Sequence, residues 1–498
     1  MAPLPRSPAS VLLTDLYQLT MAYGYWKTGT THKEAVFHVT FRNAPFKSGY
    51  TLAAGLADAI AWLRDFRFAP ADLEYLGTLT GNDTRPLFEP AFLDYLAELR
   101  FTCDVDAVPE GTVIFPHEPL LRLRGPILQG QLAETALLNL LNFQTLIATK
   151  AARVCEAAQG EPVLEFGLRR AQGVDGALAA SRAAYIGGCA GTSNVLAGQL
   201  FGIPVKGTHA HSWVMSFESE LESFEAYAAV MPNNCVFLVD TYDSLAGVRR
   251  AVDVGRSLRE RGYELAGIRL DSGDLAYLSI QARRILDDAG FPKAVIVASN
   301  DLDEHIIASL KQQGARIGMW GVGTKLVTAF DQPALGGVYK LSALREPGAP
   351  WQYKVKLSEQ ALKVSNPGIL QIRRYRHRGE FVGDMIYNEE MPPRSDIIVD
   401  PGDLTRRKAM PAGAEHEPLL VPIFRGGELV YPEPTLEAIR QRAREQLSGF
   451  YPGTRRLLNP HEYPVGLEPA LFDLKTELIL QNRGRQSERV SQKTDYTS

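Results

Sequence analysis

From about residue 160 to 344, short apolar runs alternate with amphipathic stretches, and this alternation constrains the fold more than any other feature of the chain. An apolar run too short for a helix, followed by a segment of 3.6-residue periodicity, reads as one strand–helix unit, and repetition of the unit reads as a parallel sheet. Candidate strands lie at 163–166, 203–206, 236–240, 267–270, 294–298, 317–322 and 337–341. Candidate helices at 245–261, 275–288 and 303–313 are each followed by a glycine, Gly262, Gly290 and Gly314, as a stop signal. Seven units spaced by roughly 20–40 residues suit a closed or nearly closed β/α barrel better than an open sheet. In both architectures the working residues sit at the carboxyl ends of the strands. Those ends are all polar: Glu165-Phe166-Gly167-Leu168-Arg169-Arg170, Gly207-Thr208-His209-Ala210-His211-Ser212, Asp240-Thr241-Tyr242-Asp243, Arg269-Leu270-Asp271-Ser272-Gly273-Asp274, Ser299-Asn300-Asp301 and Gly321-Val322-Gly323-Thr324-Lys325.

The flanks have another texture. Residues 1–130 mix helical patterns (52–66, 90–99) with strand-like runs (35–41, 111–115), and the region after 344 turns to proline-rich turns and charged strands. The expected fold is therefore α/β. An irregular barrel at 131–344 is joined by an α/β domain built from 1–130 and about 345–425, and 426–498 forms a C-terminal extension. Within that extension a helix is expected at 435–447, followed by a polar end that fades out over 481–498.

Charge restricts the partners. Lys plus Arg number 53 against 57 Asp plus Glu, so the chain has no global field for nucleic acid or an anionic membrane, and an anionic substrate must be held by local cations. The helical stretch 132–155 is interrupted by Glu134, Lys150 and Arg153, which suits a buried helix and not a membrane span. Residues 1–10 carry no apolar run of signal-peptide length, and Cys103, Cys155, Cys189 and Cys235 form no C-x-x-C pair. A cytoplasmic protein with reduced thiols is expected.

Each motif has a plain structural alternative. The 269–274 turn can hold a carboxylate or phosphate beside Mg²⁺ on aspartate, or Asp271 or Ser272 can simply cap the next helix. The glycine-rich segment 187–194 can approach a phosphate or make a tight packing turn, and it lacks the P-loop ending. His209 and His211, at i and i+2, would face one side of an extended backbone. That spacing suits a barrel metallohydrolase, but later strand ends offer no further histidine, which favours one of the pair as a nucleophile or acid/base. Arg169 and Arg170 can clamp an anion or form surface ion pairs. The segment 14–21 reads as a capped helix whose Tyr17 is more often core than ligand.

Together these segments resemble the nicotinate phosphoribosyltransferases. The resemblance is carried by Thr-Asp-Leu-Tyr-Gln-Leu-Thr-Met (14–21), Phe-Arg-Asn-Ala-Pro-Phe (41–46), Glu-Phe-Gly-Leu-Arg-Arg-Ala-Gln-Gly (165–173), Gly-Thr-His-Ala-His-Ser (207–212), Arg-Leu-Asp-Ser-Gly-Asp (269–274), Gly-Val-Gly-Thr (321–324) and Leu-Gly-Gly-Val-Tyr-Lys-Leu (335–341). It implies a type II phosphoribosyltransferase fold, an irregular barrel with an α/β domain, assembled as a homodimer with active sites near the interface. The implied reaction joins nicotinate to 5-phosphoribosyl 1-diphosphate, with Mg²⁺ and with ATP hydrolysis coupled through a phosphohistidine, as a step toward NAD. By motif, His211 would be the phosphorylated histidine, and Tyr17, Thr208, Phe166 and Arg269 would meet nicotinate. Arg169, Asp240, Ser272, Gly273, Asp274, Ser299, Asn300, Gly323 and Thr324 would hold the phosphoribosyl donor, and Asp271 with Asp274 the metal. Catalysis would fall to His211, Asp271 and Arg269. Lys325 departs from the small residue some members carry and could alter phosphate affinity. The nearest rival is the nicotinamide enzyme of the same fold; a non-catalytic scaffold is a third reading.

Overall fold

The structure is a computed structural model that describes residues 10–358, 364–403 and 405–494; the start of the chain read for a signal peptide (1–9) and its last four residues lie outside the described residues. The chain divides into two compact units. One comprises 146–333 and 457–459, and the other comprises the remainder. The division differs from expectation in two ways. The first boundary falls inside the helix Glu134–Ala158, and the anticipated extension 426–498 belongs, apart from 457–459, to the larger unit.

The central unit is built on a six-stranded parallel sheet. Its strands are β1 (Val163–Glu165), β2 (Gly191–Thr192), β3 (Val236–Leu238), β4 (Gly267–Leu270), β5 (Val295–Ala298) and β6 (Met319–Val322). The order across the sheet is β2-β1-β6-β5-β4-β3, so the first and last parallel strands are neighbours. Beyond β2, the expected strand at 203–206 is reduced to a bridge between Thr192 and Val205. No ladder among the described residues joins that edge to β3, so the pairings are those of a parallel sheet and closure into a barrel is not part of them. The strand expected at 337–341 is also relocated. Val338–Arg345 pairs antiparallel with Glu34–Thr40 in the other unit. Its apolar run could not reveal this, because a short apolar strand reads alike in either kind of sheet.

The helices that cover the parallel sheet are α1 (Val174–Ile186), α2 (Val195–Phe201), α3 (His211–Met215), α4 (Glu220–Val230), α5 (Ser244–Glu260), α6 (Leu275–Asp288), α7 (Glu304–Gln312) and α8 (Thr324–Val327). Three of them start at an aspartate cap: Asp243, Asp274 and Asp303 accept from the amides of Ala246, Tyr277 and Ile306. α5 buries Gly247, Val248, Ala251, Val252, Val254, Gly255 and Leu258, one face of a 3.6-residue repeat. Gly247 is required for close approach, since a Cβ there would meet the Val239 carbonyl oxygen at 2.2 Å.

The larger unit carries a seven-stranded antiparallel sheet and a mixed six-stranded sheet. Among its strands Leu370–His377 and Glu380–Asn388 form a hairpin, with Arg378 (φ 51°) and Gly379 (φ 87°) making the two-residue turn. The C-terminal helix Pro469–Thr494 continues well past residue 481, where the polar composition had suggested fading structure. Its early turns are anchored by Leu471, buried against Leu370, Ile386 and Leu467, so the polar part propagates an already nucleated helix. The helix Leu436–Ser448 is capped by Thr435, whose Oγ1 accepts from the Ala438 amide at 3.2 Å. Thr435→Ala should cost about 1 kcal/mol by thermal denaturation and leave any activity unchanged; a loss above about 3 kcal/mol would mean that Thr435 does more than cap.

Among the described residues no helix is long and apolar enough to cross a membrane, and none of the four cysteines forms a disulfide.

Candidate active site

The carboxyl ends of the parallel strands converge on one hydrogen-bonded network centred on Arg269, the third residue of β4. Its Nε donates to Ser299 Oγ (2.9 Å), Nη1 to Thr208 Oγ1 (3.1 Å) and Nη2 to Asp271 Oδ1 (3.0 Å). A guanidinium has five N–H donors, so one N–H on each terminal nitrogen is left for a ligand. The side chain is only 14% exposed, which strengthens whatever it binds. Ser299 also donates to Asp271 Oδ1, closing a triangle of Arg269, Asp271 and Ser299. Burial of Asp271 opposes its ionisation, but the Ser299 hydroxyl, Arg269 and His211 outweigh this and hold its carboxyl below the ordinary value. Directly after Ser299 the backbone turns left-handed at Asn300 (φ 89°), a conformation asparagine tolerates better than most residues.

The second carboxylate is Asp240. Its Oδ2 accepts from the Asp271 amide (2.8 Å) and Ser272 Oγ (2.7 Å), whereas Oδ1 is buried with no hydrogen-bond partner among the described residues. Asp274, by contrast, is an exposed helix cap, its Oδ1 engaged by Tyr277 N (3.0 Å). The expectation that Asp271 or Ser272 would cap α6 is thereby corrected: Asp274 is the cap. Asp240 is the aspartate that reaches the 271–272 turn, and Gly273 (φ 77°) supplies the left-handed residue that turns the chain into its cap.

The two histidines diverge. His211 opens α3, and the backbone is no longer extended there, so i and i+2 do not share a face. Its side chain is 40% exposed, with Nδ1 3.1 Å from Thr241 Oγ1 and Nε2 3.8 Å from Asp271 Oδ2. His209 is buried, and its Nε2 accepts from the Leu238 amide at 3.3 Å, linking the segment after the 205 bridge to β3. That bond requires an unprotonated Nε2, and burial pushes the His209 pKa down to about 4. No group of three or more His, Cys, Asp or Glu able to hold a metal is brought together among the described residues. A two-histidine hydrolase centre therefore finds no support.

Phe166, Arg169 and Arg170 follow β1. The Phe166 amide donates to Val322 O (2.8 Å), and its ring lies where a Cβ on Gly321 would come within 2.7 Å. A Cβ on Gly167 would meet Val327 Cγ1 at 2.2 Å. The glycines of Gly-Val-Gly-Thr and Glu-Phe-Gly thus let the 165–170 and 321–324 loops pack together. Gly323 and Thr324 sit half-buried on this ledge. Lys325 points away to Asp303 Oδ2 (2.7 Å), so its charge is neutralised within the protein.

The comparisons with known proteins agree along the whole chain. Family models described as the nicotinate phosphoribosyltransferase N-terminal domain, family and C-terminal domain match residues 12–142, 162–348 and 371–475. The nicotinate phosphoribosyltransferase of Bacillus subtilis is 42% identical over 488 residues, 97% of each chain. The chain belongs to the nicotinate phosphoribosyltransferase family. The human nicotinate phosphoribosyltransferase is 37% identical and covers 96% of this chain and 98% of its own. A crystal structure of the human enzyme superposes with a TM-score of 0.81 at 35% identity, covering 93% of this chain and 99% of that one.

As a member of this family, the chain places Thr208, His211, Asp240, Arg269, Asp271, Ser272 and Ser299 in one contiguous network. Phe166, Arg169, Gly323 and Thr324 lie on neighbouring loops of the same sheet, and Asn300, Gly273 and Asp274 on its turns. Tyr17 belongs to the other unit. It is 48% exposed on the helix Leu16–Lys27, so the core reading of this tyrosine is corrected. Its neighbour Gln18 is the buried residue, completing a capping box with Asp15 and hydrogen-bonding Thr135. Thr241 was missed by sequence reasoning although it follows Asp240 at a polar strand end. Also missed was a cavity of about 470 Å³ in the larger unit, lined by Arg42, His117, Arg406, Arg407, Lys408 and His461 among others. Its signal was the basic run 406–408.

Proposed function

We propose that the protein is a nicotinate phosphoribosyltransferase that forms nicotinate mononucleotide and pyrophosphate from nicotinate and 5-phosphoribosyl 1-diphosphate, in the service of NAD synthesis in the cytoplasm. The observation that carries the reading is Arg269, whose two remaining N–H groups sit in a largely buried network and match a carboxylate. An amide in the same place would lose the ion pair, which favours nicotinate over nicotinamide.

In the reaction the pyridine nitrogen forms a bond to C1 of the ribose as the C1–O bond to pyrophosphate breaks. The nitrogen lone pair is free in nicotinate, so the protein needs only to position it. The donor's diphosphate is already anionic when bound, and the exposed Arg169 and Arg170 supply cations to hold it. Asp240 and Asp271 fit Mg²⁺, because Asp240 Oδ1 is an orphaned buried acceptor and Asp271 is held ionised. Bound there, Mg²⁺ would neutralise charge on the diphosphate. We propose further that the parallel sheet curls into an irregular barrel whose seam, between 205 and β3, is bridged by His209, and that the chain forms a homodimer in which the exposed Tyr17 of each copy serves nicotinate in the other.

His211 is the candidate for ATP coupling. With Nδ1–H donating to Thr241, Nε2 carries the lone pair that would accept the γ-phosphoryl group as its bond to ADP breaks. Assay of nicotinate and nicotinamide separately, with and without ATP, tests the whole reading. ATP-stimulated conversion of nicotinate alone is the expected result, and consumption of neither pyridine would refute it. His211→Ala should abolish ATP stimulation and leave slow transfer; undiminished stimulation would remove His211 from the coupling.

A further inference from the structure

Glu165 ends β1 with a carboxyl group that is 1% exposed. One oxygen, Oε1, accepts the amide of Gly167, and the other, Oε2, accepts from Ser181 Oγ of α1 (2.8 Å) and Thr192 Oγ1 of β2 (2.6 Å). The network continues. Thr192 Oγ1 accepts from the Asn194 amide (2.9 Å), Asn194 Nδ2 donates to Ser181 Oγ (3.2 Å), and Asn194 Oδ1 caps α2 at Ala197 N (3.2 Å). Ser181, Thr192 and Asn194 are all buried.

A carboxylate taken out of water is tolerated only when its lone pairs are met, and packing alone would be served better by an apolar side chain. What the carboxylate holds is the backbone of the next turn. Gly167 starts the short turn Leu168–Arg170, closed by Arg170 N on Gly167 O at 2.7 Å and pressed against Val327 where a Cβ would not fit. From this pinned turn Arg169 and Arg170 project into solvent, and neither has an ion-pair partner among the described residues. Long flexible cations gain affinity for an anion when their backbone is fixed before binding, because less freedom is lost on association.

We propose that Glu165 is a positioning residue that fixes the arginine turn 168–170 for the diphosphate of the phosphoribosyl donor. The proposal rests on the reaction assigned above. Removal of the carboxylate frees the Gly167 amide and lets the turn sample other conformations, so donor affinity falls while the chemical step in the bound complex is largely retained.

The test measures KM for 5-phosphoribosyl 1-diphosphate, KM for nicotinate, and kcat in the full-length protein. Glu165→Ala should raise KM for the donor about tenfold or more, with kcat and KM for nicotinate within about threefold of wild type. Glu165→Gln should rescue the donor KM, because its amide oxygen can still accept from Gly167 while its NH₂ donates to the Ser181 and Thr192 hydroxyls, which can exchange donor and acceptor roles. Should Glu165→Ala give no soluble protein, Glu165→Asp keeps the charge, falls one methylene short, and carries the same expectation of a raised donor KM. A purely structural role would lower the melting temperature and the active fraction but leave the donor KM of folded enzyme unchanged, and that result overturns the proposal. If wild-type protein makes no mononucleotide, the assigned reaction fails. Calorimetric titration with inorganic pyrophosphate then decides separately: weaker binding in the Ala or Asp variant than in wild type sustains the positioning role, and equal or absent binding in both overturns it.

Discussion

Arg269→Met should lower kcat/KM for nicotinate by about a thousandfold, equivalent to about 4 kcal/mol of lost transition-state binding. The effect is large because the guanidinium does two jobs at once. It offers its remaining N–H groups to the substrate carboxylate, and it ties Thr208, Ser299 and Asp271 together. Arg269→Lys retains the charge but cannot serve three side chains and a ligand with one ammonium, so most of the loss should persist. The ratio of nicotinate to nicotinamide turnover is the decisive measurement. It should fall in Arg269→Met, because only the acid loses an ion pair; an unchanged ratio would remove Arg269 from substrate selection. The same variant should alter the pH profile. In wild type the Ser299 and Arg269 contacts overcome burial and hold the Asp271 carboxyl below the ordinary aspartate range, so Asp271 stays ionised into acidic pH and its charge is lost only as pH falls through that lowered range. Without Arg269 burial is less opposed, and the acidic limb of activity should move to higher pH.

Glu304→Ala should be the most damaging change to stability, by about 3–5 kcal/mol. Glu304 is the first residue of α7 and has a fully buried side chain, with Oε2 2.6 Å from Lys150 Nζ and Oε1 2.9 Å from Arg153 Nε. Both cations are themselves 0–1% exposed on the helix Glu134–Ala158. Breaking a buried pair from the acidic side leaves positive charge in a low-dielectric interior. Lys150 keeps Asp331 at 2.5 Å, but among the described residues Arg153, whose Nη1 already lacks a partner, keeps only a long contact to the Leu457 carbonyl at 3.5 Å. For a unit of this size the loss corresponds to about 10 °C in melting temperature. Replacing Glu304, Lys150 and Arg153 together by apolar residues of similar volume should recover much of it, since no fully buried charge is then left unpaired and Asp331, which loses Lys150, is 43% exposed to water. A shift of less than about 2 °C in Glu304→Ala would show that the network contributes nothing net.

Much of the candidate site was legible before any coordinate, because strand ends carry their own signature. The polar clusters at 165–170, 207–212, 240–243 and 269–274 each follow an apolar run, and the segments predicted at 267–270 and 275–288 coincide with β4 and α6. What failed to show was the partner of each polar group. Asp274 looked as suited to a metal as Asp271, yet it caps a helix, because the backbone turns at Gly273 and presents it to the first free amides. Glu165 stood inside a quoted motif with no assigned role, because its partners at Ser181 and Thr192 lie 16 and 27 residues away.

The sequence by itself determined the alternation of parallel strands and covering helices, the positions of the helix stops, and which segments bear the chemistry. These are local properties: side-chain periodicity and turn residues act within one or two turns of chain. Only the tertiary structure decided that His209 is turned inward to the Leu238 amide while His211 stays open beside Thr241, and that Arg269 gathers Thr208 from 61 residues before it and Ser299 from 30 after. It also decided that the strand at Val338–Arg345 leaves the parallel sheet for an antiparallel partner. Those outcomes depend on distances between segments remote in sequence, and a hydrogen bond or ion pair changes strongly over a fraction of an ångström that no local pattern encodes.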